Sequence, residues 1–290
     1  MARKQIHWTE EKINRFIKEG RGQGEGKDYK PWLQIGDFSS QGRGHRIFNY
    51  KTGRMHHFFS DLEANYYYLL AWSDAILDIR EQFPLLPRSE TEQIADELGY
   101  RHPHSIGASV NLVMTTDVLI TVEKDGATHF EARYVKYSKD FANQRTCEKR
   151  EIEEQYWRKR DVPFRVVTEQ SINMTRVRNI KQLLGRYEEP QFEEVSPQTM
   201  MELKAYMIEL VQSKRYDTLD KICARLEQAF GLKHGTGLHL FYHMAAHKLV
   251  PLKLDSYLLL GTSTLNNIVD WNSFEKIIVE KGKDLDEYLA

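Results

Sequence analysis

The sequence predicts an α/β domain followed by a mainly helical domain. Two strand-like runs joined by the turn residues Asp125-Gly126 lie between helical patterns, which is typical of an α/β layer. Beyond an acidic, irregular stretch at 188–194, the hydrophobic periodicity is helical. The chain has 290 residues, of which 41% are hydrophobic, enough for two cores and too many for a disordered protein. We therefore predict domains over 1–170 and 171–290.

The first domain is predicted to alternate helices and strands. Thr9 is placed to cap its first helix. The predicted elements are a helix over 8–20, strands over 45–50 and 55–59 around the turn KTGR, a helix over 60–75, strands over 110–122 and 128–137, a helix over 141–160 and a strand over 163–167. The glycine-rich segment 20–26 has the composition of a flexible loop. It is not a nucleotide-binding P-loop, because Asp28 stands where that motif has Ser or Thr.

The second domain is predicted to be winged-helix-like. Helical patterns over 197–213, 218–230 and 237–249 are followed by two short strand-like runs within 250–261. Three helices followed by a hairpin are typical of winged helix-turn-helix domains, which bind DNA or protein. Because acidic and basic residues nearly balance over 196–290, we favour contact with a partner protein.

The charge of the chain is unevenly distributed. The formal net charge is -1, but residues 1–60 carry a local excess of six positive charges. A basic N-terminal quarter indicates a localised nucleic-acid face. The candidate contacts to backbone phosphates are Lys27, Arg43, Arg46, Lys51 and Arg54. The alternative is that these side chains form an ordinary solvated surface of the hairpin.

Cysteine content and hydropathy indicate a soluble protein of the cytoplasm. Cys147 and Cys223 are the two cysteines of the chain, too few for a disulfide scaffold or a cysteine-rich zinc site. No apolar run approaches the roughly 18 residues of a membrane span, and the first residues do not have the pattern of a signal peptide. We expect no membrane contact.

Three residues have the layout of a nuclease centre. Glu63 lies in the first turn of a predicted helix, Asp117 within an apolar strand and Lys136 near the end of the next strand. Metal-dependent phosphodiester cleavage needs carboxylates that converge on a divalent cation and a further cation for the developing charge. This spacing is typical of the PD-(D/E)xK restriction-endonuclease-like core. It therefore predicts a catalytic site formed by Glu63, Asp117 and Lys136.

Each of the three residues also has a structural interpretation. Ser60 and Glu63 have the spacing of a capping box, in which the glutamate binds an amide at the start of its own helix. Asp117 could accept a hydrogen bond from a loop amide, although a carboxylate among apolar neighbours is costly unless it is paired or bound to a metal. Lys136 could be an exposed lysine at a strand end.

Several stretches of the sequence resemble the TnsA family, the endonuclease subunits of heteromeric cut-and-paste transposases. They occur in family order from about residue 11 to 168 and read GRGQGEGKDYKPWL, HRIFNYKTGRMHHFFSDLE, LDIREQFPLLP, MTTDVLI and RTCEKREIEEQYW. The resemblance implies that Glu63 and Asp117 bind Mg²⁺ or Mn²⁺ with help from the Val135 carbonyl. It also implies that Lys136 stabilises charge or positions the attacking water, and that Glu153 supports the site.

The resemblance also implies a function and partners. Subunits of this family cut the non-transferred strand near the 5′ ends of the transposon, in a bacterial, DNA-associated complex. A TnsB-type transposase cuts and joins the 3′ ends, and a TnsC-type ATPase regulator recruits the complex to target DNA. The expected substrate is double-stranded transposon-end DNA, and the second domain is expected to contact a partner.

One position departs from the family pattern. Where the family has glutamine two residues before the lysine, this chain has Tyr134, a poor metal ligand at neutral pH because its pKa is high. Strand parity puts Glu131 on the opposite face, so it cannot replace that ligand. We favour an active nuclease with one well-held ion. The alternatives are a weak or inactive assembly adaptor, and a stand-alone restriction-type nuclease of the same fold.

Overall fold

The computed structural model describes residues 8–37, 42–105, 110–192, 195–258 and 261–281. The chain divides into two compact units, Met1–Ile172 and Asn173–Ala290. Within the described part of the chain, no helix has the length and apolar character that crossing a membrane requires. Each unit has its own arrangement of helices and strands.

A four-stranded sheet with helices on both faces forms the centre of the first unit. Its strands follow the order β3-β4-β5-β6; β3, β4 and β5 are antiparallel neighbours, and β6 runs parallel to β5 after a crossover through α4. A separate two-stranded hairpin is formed by β1 and β2. The elements are α1 (Glu10–Lys18), β1 (His45–Asn49), β2 (Arg54–Phe58), α2 (Asp61–Trp72), β3 (Ile76–Pro84), α3 (Arg88–Glu97), β4 (Thr115–Lys124), β5 (Ala127–Val135), α4 (Gln144–Arg158) and β6 (Phe164–Val167).

Two hydrophobic cores cover the two faces of this sheet. Under α2 and the hairpin, Tyr67 and Phe58 pack against Val118 and Ile120. Under α3 and α4, the buried residues are Leu85, Ile94, Ala95, Met114, Leu119, Ala132, Ile152, Tyr156 and Trp157. Because the sheet is buried between these layers, a polar side chain that enters it needs a partner.

The side-chain alternation of β3 and β4 is interrupted at one level of the sheet. Ile79 faces the core under α2, but Phe83 packs with the opposite core, although the two residues are four apart in one strand. Gln82, which lies between them, has a φ of 49°, in the left-handed region, and falls with Asp117 between the register pairs Glu81–Val118 and Phe83–Thr116. In both strands, the alternation of side chains between the two faces of the sheet therefore reverses at the level of Asp117.

A buried ion pair attaches the β1–β2 hairpin to the sheet. Both Nη atoms of Arg54 donate to the carboxylate of Glu81 in β3, at 2.8 and 2.6 Å, and His56 Nδ1 lies 2.8 Å from the same carboxylate. Burial alone would raise the pKa of Glu81, but His56 and Arg54 outweigh it and lower that pKa to about 2. Arg54 is 7% exposed and Glu81 is fully buried. The pair is therefore part of the interior.

The glycine-rich segment is packed against this sheet. A Cβ at Gly22, which has a φ of 78°, would lie 2.1 Å from the Pro84 ring, and one at Gly24 would lie 2.5 Å from the Asp28 carbonyl oxygen. The Gly26 amide donates to Asp78 Oδ2 at 3.1 Å. Gly22 therefore allows close packing onto the end of β3 and Gly24 a tight turn within the segment itself, whereas the composition of the segment predicted a flexible loop.

The second unit is a helical assembly. Buried side chains of three of its helices, among them Met207, Leu226 and Phe241, form the interior, and the Glu227 carboxylate accepts from the Gly235 and Gly237 amides. The helices are α5 (Met174–Leu184), α6 (Pro197–Ser213), α7 (Leu219–Phe230), α8 (Thr236–Ala246), α9 (Leu265–Ile268) and α10 (Trp271–Lys281).

The predicted hairpin within 250–261 is wrong for the residues that the structure describes there. Leu252 instead forms an isolated antiparallel bridge with Val269. The Asn179 side chain of α5 donates to the carbonyls of Leu254 and Ser256, at 2.7 and 2.9 Å, so these backbone groups bond to a helix and not to each other. Residues 259 and 260 lie outside the described residues.

We predict that Arg54→Gln lowers the free energy of unfolding of the first unit by about 3–5 kcal/mol, because it leaves the buried Glu81 carboxylate without its main cation. Denaturant unfolding followed by tryptophan fluorescence measures this change. The matched control is Arg43→Gln, at an exposed arginine just before the same hairpin, which should change stability by about 0.5 kcal/mol or less. Equal effects of the two substitutions would contradict a structural role for the pair.

Candidate active site

Asp117 lies on β4 where the side-chain alternation reverses. Its carboxylate binds β5 one step beyond the last regular β4–β5 pair. Asp117 Oδ2 accepts a hydrogen bond from the Val135 amide at 2.7 Å. The regular β4–β5 register ends just before this point, at the pair Val118–Arg133. The aspartate therefore bonds to a backbone amide, as its structural interpretation expected, but that amide belongs to the last residue of β5 and not to a loop. This hydrogen bond also brings the Asp117 carboxylate next to Val135 and Lys136.

Glu63 lies in the first turn of α2 and caps this helix as predicted, except that it accepts from the Phe59 amide in place of the amide of the N-cap residue Ser60. Its Oε1 accepts from Ser60 Oγ at 2.7 Å and its Oε2 from the Phe59 amide at 3.1 Å, while the Glu63 amide donates to Ser60 Oγ at 3.1 Å. The side chain is 8% exposed. A carboxylate has about four lone-pair sites, so these two hydrogen bonds fix the direction of the group and leave it able to accept more.

Lys136 follows the last residue of β5. Its amide donates to the Val167 carbonyl of β6 at 3.0 Å, which fixes the backbone of the lysine at the sheet end. The positive charge of Lys136 lowers the pKa of Asp117, of Glu63 and of Glu153. One lysine therefore acts on three carboxyl groups that come from α2, β4 and α4.

Burial and mutual repulsion dominate the electrostatics of these carboxyls. Burial raises the pKa of Asp117 to about 6 and, together with the charge of Asp117, raises the pKa of Glu63 to about 7. Such shifts mean that two negative charges in this space are costly in the absence of a cation. Clefts with shifts of this kind are candidates for functional sites.

Glu153 completes the group from the α4 side. It is 1% exposed, and its Oε1 has no hydrogen-bond partner in the described part of the chain. Burial and the charge of Asp117 raise the pKa of Glu153 well above its usual range. Trp157, one turn further along α4, donates from Nε1 to Thr116 Oγ1 at 2.6 Å and thereby fixes this helix against the start of β4.

Tyr134 fills the space beside this group with an aromatic ring. It is 9% exposed, and its ring centroid lies 6.3 Å from those of Phe141 and Phe164. Burial and the charges of Asp117 and Glu153 raise the pKa of Tyr134, so its hydroxyl remains protonated at neutral pH. Glu131 instead contacts Arg133 and His129, which lie on its own face of β5.

The donor set at this site fits a hard divalent cation. In the part of the chain that the structure describes, no three His, Cys, Asp or Glu side chains form a metal-binding group. Two carboxylates, Glu63 and Asp117, are close enough for one charge to act on the other, and one oxygen of Glu153 lacks a partner. Mg²⁺ prefers oxygen ligands and keeps several waters, so two carboxylates are enough for it.

The five basic residues predicted to contact DNA phosphates lie in different environments. Arg54 was predicted to contact DNA phosphates, and this is wrong, because its guanidinium is buried in the ion pair with Glu81. Arg46 and Lys51 are exposed but donate to backbone carbonyls, Arg46 to Ile35 and Lys51 to Ser73 and Ile76. Lys27 and Arg43 are exposed.

Sequence reasoning missed two parts of this site. Thr116, the hydroxyl partner of Trp157, gives no signal of its own in a strand. Arg145 and Lys149 precede Glu153 at intervals of four along α4, which puts the three on one helix face. That spacing is visible in the sequence and could have linked the two cations to Glu153.

Comparison with known proteins identifies the family. Residues 73–169 match the family model described as TnsA-like endonuclease N terminal, and residues 171–252 match TnsA endonuclease C terminal. The chain is 39% identical over 254 residues to the Transposon Tn7 transposition protein TnsA of Escherichia coli, covering 88% of this chain and 90% of that protein. The chain belongs to the TnsA endonuclease family. The N-terminal match contains Asp117, Lys136 and Glu153 and begins after Glu63.

We predict that this TnsA-family protein becomes less stable as pH rises from about 4 to 8 in metal-free buffer. The pKa values of Asp117 and Glu63 are higher in the folded protein than their ordinary values of 3.8 and 4.5. The folded state therefore holds more protons, and ionising these groups destabilises it. Asp117→Asn should raise the free energy of unfolding at pH 8 by about 2 kcal/mol and flatten the pH dependence.

Denaturant unfolding at several pH values in the presence of a chelator measures this effect. Asp96→Asn, at an exposed aspartate on α3, is the matched control and should leave the pH dependence unchanged. A decrease in stability at pH 8 on Asp117→Asn would show that the carboxylate stabilises the fold and would contradict the electrostatic account.

Proposed function

We propose that this chain is the Mg²⁺-dependent subunit that cuts the non-transferred strand at the 5′ ends of a transposon. Membership in the TnsA endonuclease family supports a transposase endonuclease subunit. The observation that carries the finer proposal is the convergence of Glu63, Asp117 and Lys136 from three elements on one buried space. We infer that the first unit has the restriction-endonuclease-like fold, in which such a constellation cleaves phosphodiester bonds.

Glu63, Asp117 and the Val135 carbonyl would hold the metal ion, with Mn²⁺ as a substitute for Mg²⁺. When bound, a divalent cation supplies Lewis acidity toward the phosphate and lowers the pKa of a coordinated water. The capping bonds of Glu63 and the amide bond of Asp117 hold both carboxylates in place before a metal arrives. This preorganisation supports a site built for one cation.

Lys136 would act on the phosphate itself. Its ammonium group would stabilise the negative charge that develops on the phosphate oxygens as water attacks the phosphorus and the bond to the 3′ oxygen breaks, which leaves a 3′-hydroxyl and a 5′-phosphate. The rings of Tyr134, Phe141 and Phe164 exclude water from the α4 side of the site. The protonated Tyr134 hydroxyl is a hydrogen-bond donor there and not a metal ligand, which leaves room for one well-held ion.

The same proposal includes partners. A TnsB-type transposase would cut and join the 3′ ends, a TnsC-type ATPase would regulate target choice, and double-stranded transposon-end DNA would be the substrate. Lys27, Arg43, Arg46 and Lys51 remain candidates for phosphate contacts on the hairpin side. We propose that the second unit, a winged-helix-like assembly of α6, α7 and α8 with the Leu252–Val269 bridge in place of a wing, contacts a partner protein.

We predict that Asp117→Asn and Lys136→Met each reduce nicking of the non-transferred strand by about 100-fold or more, because the first removes a carboxylate proposed to hold the metal ion and the second removes the cation proposed to act on the reacting phosphate. The assay uses strand-labelled transposon-end DNA with Mg²⁺, the full chain, the partner transposase and the ATPase regulator. Cleavage of the 3′ ends by the partner is the internal control for assembly. Persistence of 5′ nicks in both variants would contradict the proposed catalytic residues.

Tyr134 separates the nuclease from the adaptor alternative in the same assay. Tyr134→Phe removes the hydroxyl and keeps the packed ring, so 5′ nicking should remain within a few-fold of wild type. If wild type gives no 5′ nicks while the 3′ ends are cut, and Tyr134→Gln restores them, the chain is an adaptor with a disabled site.

A further inference from the structure

A polar cavity lies at the first two turns of α4, the helix that carries Glu153. Its volume is about 420 Å³, and it opens between the segment around Arg101–His104 and the first two turns of α4. The lining residues are Arg101, Pro103, His104, Leu112, Arg145, Glu148 and Lys149. None of these residues belongs to the constellation of Glu63, Asp117 and Lys136.

The wall of this cavity is positively charged. It contains three permanent cations, Arg101, Arg145 and Lys149, and one carboxylate, Glu148. Glu148 accepts from Arg145 Nη1 at 2.8 Å, and Arg101 Nη2 lies 2.8 Å from His104 Nε2. One carboxylate cannot neutralise three cations, so the cavity favours an anion.

A charge of the proposed active site acts on a residue of the cavity wall. Burial lowers the pKa of Lys149, and the positive charges of Arg145 and Lys136 lower it further. Lys149 therefore lies close enough to Lys136 for the two ammonium groups to repel each other. Along α4, the face that carries Arg145 and Lys149 continues to Glu153 and Trp157 at the site.

We propose that this cavity binds a backbone phosphate of the cleaved DNA strand next to the scissile phosphate, with Arg101 and Lys149 as its main cations. The inference rests on the proposed nuclease function. A bound phosphate relieves the repulsion among the clustered cations and fixes the strand in register relative to Lys136. Arg101 and Lys149 are thus positioning residues, because they contact a phosphate that does not react.

DNA binding by the full chain tests the proposal without cleavage. Anisotropy titrations of a labelled transposon-end duplex are made in the Asp117→Asn background at several salt concentrations. Adding Arg101→Gln and Lys149→Gln should weaken binding and reduce the slope of log K against log [salt] by roughly 0.9, the amount lost per phosphate contact. The matched control, Lys18→Gln with Lys124→Gln, removes two exposed cations on α1 and at the end of β4.

A third variant should change DNA affinity in the opposite direction. Glu148→Gln removes the one carboxylate of the cavity wall, so it should tighten binding and increase the salt slope. A purely structural role of Glu148 in holding Arg145 would weaken binding instead. Equal losses in the cavity variant and the control, or weaker binding by Glu148→Gln, would overturn the proposal.

Single methylphosphonate substitutions locate the phosphate in the nicking assay. In the otherwise wild-type chain, a neutral linkage at one position beside the nick should slow cleavage at least several-fold. The Arg101→Gln, Lys149→Gln variant should nick slowly at every substrate and lose that position-specific sensitivity; retained sensitivity would overturn the proposal. If no chain nicks DNA, the proposed function fails, while the salt dependence of binding still decides whether the cavity holds a phosphate.

Discussion

The burial of three carboxyl groups around Lys136 is the constraint on which the arrangement of the first unit depends. Asp117 raises the pKa of both Glu63 and Glu153, so the fold keeps together groups that repel one another when ionised. The cores on both faces of the sheet offset this cost. The carboxylates are held by short bonds to Ser60, Phe59 and Val135. Such costly, preorganised polar groups are typical of sites that bind a cation or a reacting phosphate.

The interruption of the strand alternation explains how a carboxylate reaches this position from the middle of an apolar strand. The side-chain alternation of β3 and β4 reverses at Gln82, which has a left-handed backbone, and at Asp117. A non-glycine residue in that conformation costs free energy and is found where surrounding packing enforces it. The Arg54–Glu81 pair and the glycine segment on Pro84 pack against β3 at the same level. The hairpin therefore supports the site without contributing Arg54 to it.

The sequence predicted many elements from their hydrophobic patterns, but it did not predict β3 or the helices α3, α5 and α10. The β4–β5 hairpin, α4 and α6 follow their periodicity, and the spacing of Glu63, Asp117 and Lys136 predicted a shared site; in the fold their charges act on one another. β3 was not predicted because no apolar alternation marks this strand. Four of its buried residues are polar: Asp78, Arg80, Glu81 and Gln82. Arg54 was wrongly predicted to contact DNA because its partner Glu81 lies 27 residues away in the sequence, and the pairing exists only in the folded protein.

The central claim is that Glu63 and Asp117 hold one divalent cation next to Lys136. Anomalous diffraction from crystals of the full chain soaked in Mn²⁺ tests it most directly, with Asp117→Asn crystals soaked in parallel. We predict one peak in wild type between the carboxylates of Glu63 and Asp117 and the Val135 carbonyl, absent from the variant. A wild type with no peak there, or with Mn²⁺ bound only at other carboxylates, would contradict the claim.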